Sequence, residues 1–185
     1  MIGKGEDDPH AGARAAIERC WLLGRRLAEA RHGLHGLLPT SPEALVEPDE
    51  ATTDPLDVYL FRLGEMRLDA YLFRLSAALT TLIEEATEPV LLAGSRFMLF
   101  LDVAEDLRAL EAAGAIASAD QVLGMRDRVR RHYLIPTLAP EERAAALNQA
   151  WTDGQSMIDL LVGLSRHIQS RDLVPGLVAF GDGQP

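Results

Sequence analysis

Apolar residues recur along this chain at intervals of three and four rather than two, in long runs separated by proline and glycine. Ile17, Trp21, Leu22, Leu27, Leu34 and Leu38 mark an N-terminal helix over residues 11–38, weakened at Gly24 and Gly33. The longest pattern runs from 55 to 87, with Asp54 placed to cap it and Pro55 in its first turn. Inside it, Leu56-Asp-Val-Tyr-Leu-Phe-Arg-Leu63 nearly repeats as Leu68-Asp-Ala-Tyr-Leu-Phe-Arg-Leu75. An offset of twelve residues turns an ideal helix by about 120° beyond whole turns, so the two copies face different ways. A helix apolar over so much of its circumference suits a bundle interior or a subunit interface. Glu88-Pro89 punctuates, and a third helix is predicted over Val90–Ala113, closed by Gly114. Ser118 and Gln121 have capping-box spacing and open a short helix that ends by Ile135-Pro136. Pro140-Glu141-Glu142 opens a last helix to about Ser170, with Leu147, Trp151, Met157, Ile158, Leu161, Leu164 and Ile168 as its core face. No strand-like alternation interrupts. The pattern predicts an all-α, up-and-down bundle of about five helices.

The connecting segments are of other kinds. Residues 1–10 read as a disordered leader, 39–54 as an acidic, proline-rich linker, and 171–185 as a glycine-bearing tail, leaving the main bundle at 55–170. Pro39 and Pro42 have polyproline-ligand spacing, but a semi-rigid linker is the more economical reading. With 48% hydrophobic residues the chain can build a core, and with aromatics at only 5% its Leu and Ala content favours helix. No apolar run reaches the roughly 18–20 residues needed to span a bilayer. The polar start lacks the apolar segment of a secretory signal, and Cys20 has no partner for an internal disulfide. These features lead us to expect a cytoplasmic protein without membrane association.

Charge changes the picture at one place. The chain carries a formal net charge of −10, yet Met125–Tyr133 packs Arg126, Arg128, Arg130 and Arg131 around Asp127, His132 and Tyr133. Overall acidity opposes indiscriminate nucleic-acid binding, but screening over about 8–10 Å leaves a local basic site free to act. On a continuous helix Tyr133 returns to the face of Arg126, Val122 and Val129, so Arg126 and Tyr133 are expected to point inward. An inward arginine needs an anion, which Asp127 or a phosphate would supply. Glu29-x-x-His32-x-x-His35 has zinc-compatible spacing, but no third strong ligand follows, and a surface pair is by far the better reading. No phosphate-cradling glycine loop or nucleophile elbow occurs.

The segment from Leu107 through Ala113-Gly114-Ala115-Ile116 to Arg126-Asp127 and the closing His132-Tyr133 resembles the HEPN superfamily. It is most similar to HepT-like partners of minimal nucleotidyltransferases, over roughly residues 55 to 170. That resemblance implies a HEPN-like helical fold and a homodimer whose Arg/His site lies at the dimer interface, in a cleft shared by the long helix 55–87 and the motif helix. It implies a metal-independent endoribonuclease without cofactor, acting on RNA as the toxin of a toxin–antitoxin pair. Arg126 and His132 would be catalytic, Arg128, Arg130 and Arg131 would bind substrate, and Asp127 would orient. Tyr133 would be the position modified by a nucleotidyltransferase-type antitoxin. Two registers fit the motif. Aligning Tyr133 with the family's tyrosine puts Arg131 at the histidine position, whereas His132 as the histidine shortens the step to Tyr133. Only the second gives chemistry, because arginine is always charged while histidine can take up a proton near neutral pH. The implied alternative is a degenerate HEPN-like partner that binds a nucleotide or a nucleotidyltransferase without cleaving RNA.

Overall fold

The computed structural model describes residue 8 and residues 10–94 and 102–181. Among these the fold is all-α: α1 (Ala11–His32), α2 (Pro55–Thr81), α3 (Thr87–Ala93), α4 (Val103–Ala112), α5 (Ala119–Val129) and α6 (Pro140–Ser170). α1 packs on α2, α3 and α6, α2 also meets α5 and α6, and α4 bridges α3 to α5. One core joins Ile17, Trp21 and Leu27 of α1 to Tyr71, Leu75 and Leu79 of α2 and to Met157, Leu161 and Leu164 of α6. The N-terminal helix therefore belongs to the same core as the bundle.

The caps follow local chemistry. Asp54 accepts from the Leu56 amide at 2.8 Å with Pro55 in the first turn, and Ser118 accepts from the Gln121 amide at 3.2 Å. Glu111 satisfies a further first-turn donor, its Oε2 accepting from the Ala119 amide at 3.0 Å. Gly114 takes φ 72° and lets Ala115 N–H reach back to Leu110 O at 2.9 Å, closing α4.

Three boundaries differ from the expected ones. α1 stops at His32, short of residue 38, because Gly33 ends the ladder and tight turns with Gly36 at φ 90° carry the chain onward. Leu34 and Leu38 still reach the core, so the apolar spacing was right about burial and wrong about helix. Glu88-Pro89 does not start a new helix. α2 runs through a wide π-turn, Leu82–Ala86, into α3, and Pro89 falls in the first turn of α3. There a missing N–H costs little, and Thr87 Oγ1 donates to Leu82 O at 2.9 Å. The predicted third helix thus resolves into α3 and α4, its residues 95–101 lying outside the described residues, as does most of the expected leader.

The segments without α-helix are docked. Thr40 and Asn148 exchange two hydrogen bonds, at 2.7 and 2.9 Å, and Leu45 is buried, which pins the acidic linker to α6. Past α6, Trp21 Nε1 donates to Val178 O at 3.1 Å, the Phe180 amide donates to Ser165 Oγ at 2.8 Å, and Val174 is buried. The Trp21 and Phe180 rings sit 5.6 Å apart, so the tail closes the groove between α1 and α6.

α2 and α6 approach closely where α6 has Gly154. Tyr71 lies fully buried against that glycine and donates its hydroxyl to Ala150 O at 2.8 Å. A β-carbon at 154 would collide with the phenol ring and hydroxyl. Gly154→Ala is expected to cost about 1–3 kcal/mol, as overpacking does. Tyr71→Phe should recover part of that cost, because it removes the atom in closest conflict. Denaturant melts of the two single variants and the double variant check this, and simple additivity would contradict it.

Candidate functional site

α5 ends at Val129, six residues before the Ile135-Pro136 stop that the sequence suggested, and residues 132–137 form a 3-10 turn. That turn splits the basic motif. Helical phase would have returned Tyr133 to the buried side. Instead Tyr133 is 75% exposed, because the winding changes before the chain reaches it, while Ile135 swings into the core.

The split sends the arginines to different places. Arg126 and Arg130 border a small crevice of about 80 Å³ against Ser76, Thr80 and Glu84 at the end of α2. Arg128, Arg131 and His132 line a larger cleft of about 360 Å³ together with Gln149 and Asp153 of α6. Within one chain Arg126 and His132 therefore line different cavities, and Arg128 and Arg131 are the arginines beside the imidazole. Asp127 is exposed and contributes its carbonyl, which accepts from Arg131 Nε at 3.3 Å, and it is not among the residues lining the cleft.

The cleft floor is an ion pair. Asp153 is 2% exposed on the buried stripe of α6, between Ala150 and Met157. Arg128 grips it with two parallel bonds, Nε to Oδ2 at 2.8 Å and Nη2 to Oδ1 at 2.7 Å, and Gln149 Nε2 donates to Oδ1 at 3.0 Å. This bonding holds the Arg128 guanidinium even more firmly protonated than usual. His132 is half-buried beside it. Burial pushes the imidazole below its ordinary value and Arg128 adds to that effect, while Asp153 and the Leu72 backbone oppose it. His132 Nδ1 is buried without a partner. Around this polar end stand Leu134, Ile135, Leu138 and Ala146. The arrangement offers a neutral imidazole able to accept a proton, one clamped guanidinium, one freer guanidinium on Arg131, and an apolar wall.

Asp153 and Gln149 escaped the motif reading because they lie on another helix. A signal was present: an acid at a core-facing position of α6 requires a buried cation. The other candidates are structural. His35 packs edge-on against Trp151 at 5.6 Å, with His32 beside it at 5.5 Å, and among the described residues no group of three or more His, Cys, Asp or Glu gathers. Cys20 is buried, and desolvation pushes its thiol up to about 12. No helix among the described residues is long and apolar enough to cross a membrane.

Comparison with family models, with curated proteins and with solved structures found no match to this chain.

Two outcomes are expected from the ion pair and the imidazole. Arg128→Ala strands a buried carboxylate and should cost about 3 kcal/mol, whereas replacing both partners by apolar side chains, Arg128→Met together with Asp153→Leu, should restore most of the loss. Urea titration of these variants is the check. For His132, a folded-state pKa below the unfolded one means that the unfolded chain binds more protons as pH falls. Its contribution to stability is complete above the ordinary value of 6.5 and declines below it. His132→Gln should flatten that decline in melts taken between about pH 5 and 7; an unchanged slope would contradict the assignment.

Proposed function

We propose that this chain is a metal-independent endoribonuclease of HEPN type whose working residues are His132, Arg131 and Arg128. The observation that carries this reading is the convergence of one neutral, half-buried imidazole and two guanidinium groups on a single cleft. Cleavage through the substrate's own 2′-hydroxyl needs a base near neutral pH. His132, held neutral by burial, can accept that proton. The 2′-oxygen then bonds to phosphorus, giving a phosphorane whose extra negative charge a guanidinium stabilises by paired hydrogen bonds. Arg131 is the arginine free to provide them, because Arg128 already spends two donors on Asp153. The bond to the 5′-oxygen breaks, leaving a cyclic phosphate and a 5′-hydroxyl that takes its proton from the imidazolium or from water. Arg128 then acts by fixing the cleft and its positive potential, and the apolar wall of Leu134 and Leu138 suits a base or ribose face. Arg126 and Arg130, on the neighbouring crevice, would draw in the flanking backbone by counterion release. An RNA substrate, a toxin role in the cell, and a nucleotidyltransferase that modifies the exposed Tyr133 all belong to this proposal.

A second reading has its own observation. Two of the donors of Arg128 are held by Asp153 and Arg126 lines another crevice, which favours a cleft that binds a nucleotide or phosphate without cleaving.

Cleavage of a labelled RNA by the purified protein, in chelator, separates the two. His132→Ala should lower the rate by about 100-fold or more, the usual contribution of a positioned base, and Arg131→Ala should weaken it strongly. Arg126→Ala should change it only a few-fold, through binding. Retained RNA or nucleotide binding with no turnover in the wild type would favour the binding reading. Equal cleavage by wild type and His132→Ala would overturn the ribonuclease.

A further inference from the structure

A cavity of about 420 Å³ lies in the groove between α1 and α2, apart from the His132 cleft. Glu29, Ala30 and Gly33 at the end of α1 form one wall, and Met66, Arg67, Ala70 and Arg74 of α2 form the other. The room comes from small residues, since Ala30, Gly33 and Ala70 withdraw where larger side chains would meet across the groove. Arg67 and Arg74 are seven residues apart, so they stand on one line of α2, about 10.5 Å apart along its axis. Neither has an acid three or four residues away on its own helix. Neither enters an ion pair among the described residues.

Across the groove the charge is reversed. Glu29 is exposed and also enters no ion pair among the described residues. It sits in the last turn of α1, at the negative end of the helix dipole, where an acid is unfavourable until a cation joins it. The turn at Gly33 sends the Leu34 amide to Arg31 O at 3.0 Å rather than to Ala30 O, so the Ala30 carbonyl loses its helical donor. One wall thus offers two guanidinium groups, and the other offers a carboxylate beside an open carbonyl.

We infer that this groove binds a free acidic amino acid, a ligand with two carboxylates and one ammonium. The charges match one for one. Guanidinium groups hold carboxylates by paired, charge-assisted bonds, and an ammonium has three donors to share between Glu29 and the Ala30 carbonyl. Met66, 59% exposed, and Ala70 give the methylenes of the ligand an apolar floor. A phosphate would satisfy the arginines but set a like charge against Glu29. A simple amine would satisfy Glu29 but face two guanidinium groups. The inference does not rest on the proposed ribonuclease. His132 meets α2 at the Leu72 backbone, about 140–160° around the helix from Arg67 and Arg74.

Calorimetric titration of the full chain with L-glutamate tests it, with glutarate (two carboxylates, no ammonium) and inorganic phosphate as comparison ligands. Wild type should bind one glutamate per chain, and should bind glutarate and phosphate about 10-fold or more weakly. Arg67→Ala and Arg74→Ala should each weaken glutamate by about 10-fold or more, the loss of a charge-assisted pair, with the helical circular dichroism unchanged. Glu29→Gln should bring glutamate down to the level of glutarate without weakening glutarate itself. A wild type that does not bind glutamate overturns the inference. So does glutarate or phosphate bound as tightly as glutamate, which would mark a plain anion site, or glutamate binding indifferent to any of the three substitutions.

Discussion

A carboxylate almost wholly removed from water, Asp153, is the constraint from which this site is built. Burying an uncompensated charge on α6 would be prohibitive, so α5 must deliver a guanidinium to within hydrogen-bonding distance of it. Arg128 does so with two bonds, and that requirement fixes the rotation of α5 against α6. Once α5 is set, Val122, Met125 and Val129 are committed to the core, and Arg126 is committed to the side facing α2. His132, four residues after Arg128 but past the end of the helix, arrives beside the same pair.

The same constraint shapes the chemistry. Much of the positive charge of the motif is neutralised or directed elsewhere, so the cleft is weakly cationic rather than strongly so. The imidazole is kept neutral mainly because it is desolvated, and the adjacent Arg128 works in the same direction. A neutral histidine beside an exposed arginine is suited to taking a proton from a hydroxyl near a phosphate. A histidine clamped to a carboxylate would be suited to giving one. Whether the cleft cleaves or only binds therefore turns on His132 and Arg131 more than on the arginine that first draws the eye.

Packing elsewhere serves to keep α2 and α6 in register beneath the cleft. Gly154 lets Tyr71 sit against α6, and Trp151 is enclosed by Tyr71, His35 and the Arg31 guanidinium, which lies 3.8 Å from its ring centre. The linker and the C-terminal segment add ties from outside, through Asn148 and Ser165 of α6. α2 is thereby held on one side only. On its outer side Tyr59, Met66 and Phe73 stay exposed among the described residues.

The sequence by itself determined the helical class, the caps at Asp54 and Ser118, the left-handed turn at Gly114, and most of the buried leucines, though Leu22 of the N-terminal pattern is 42% exposed. Each of these depends on spacing or on a bond between near neighbours. Tertiary structure decided everything that depends on partners remote in the chain. Leu34 and Leu38 read as helix because burial and helicity share a period, and only the turn at Gly33 separates the two. Pro89 reads as a boundary until the π-turn before it shifts the ladder. Tyr133 and Arg126 read as one face only while the helix is assumed to continue, and the 3-10 turn breaks that phase. The link from Arg128 to Asp153 spans 25 residues and no local rule contains it, although a lone acid on the core stripe of α6 announced that some cation had to come.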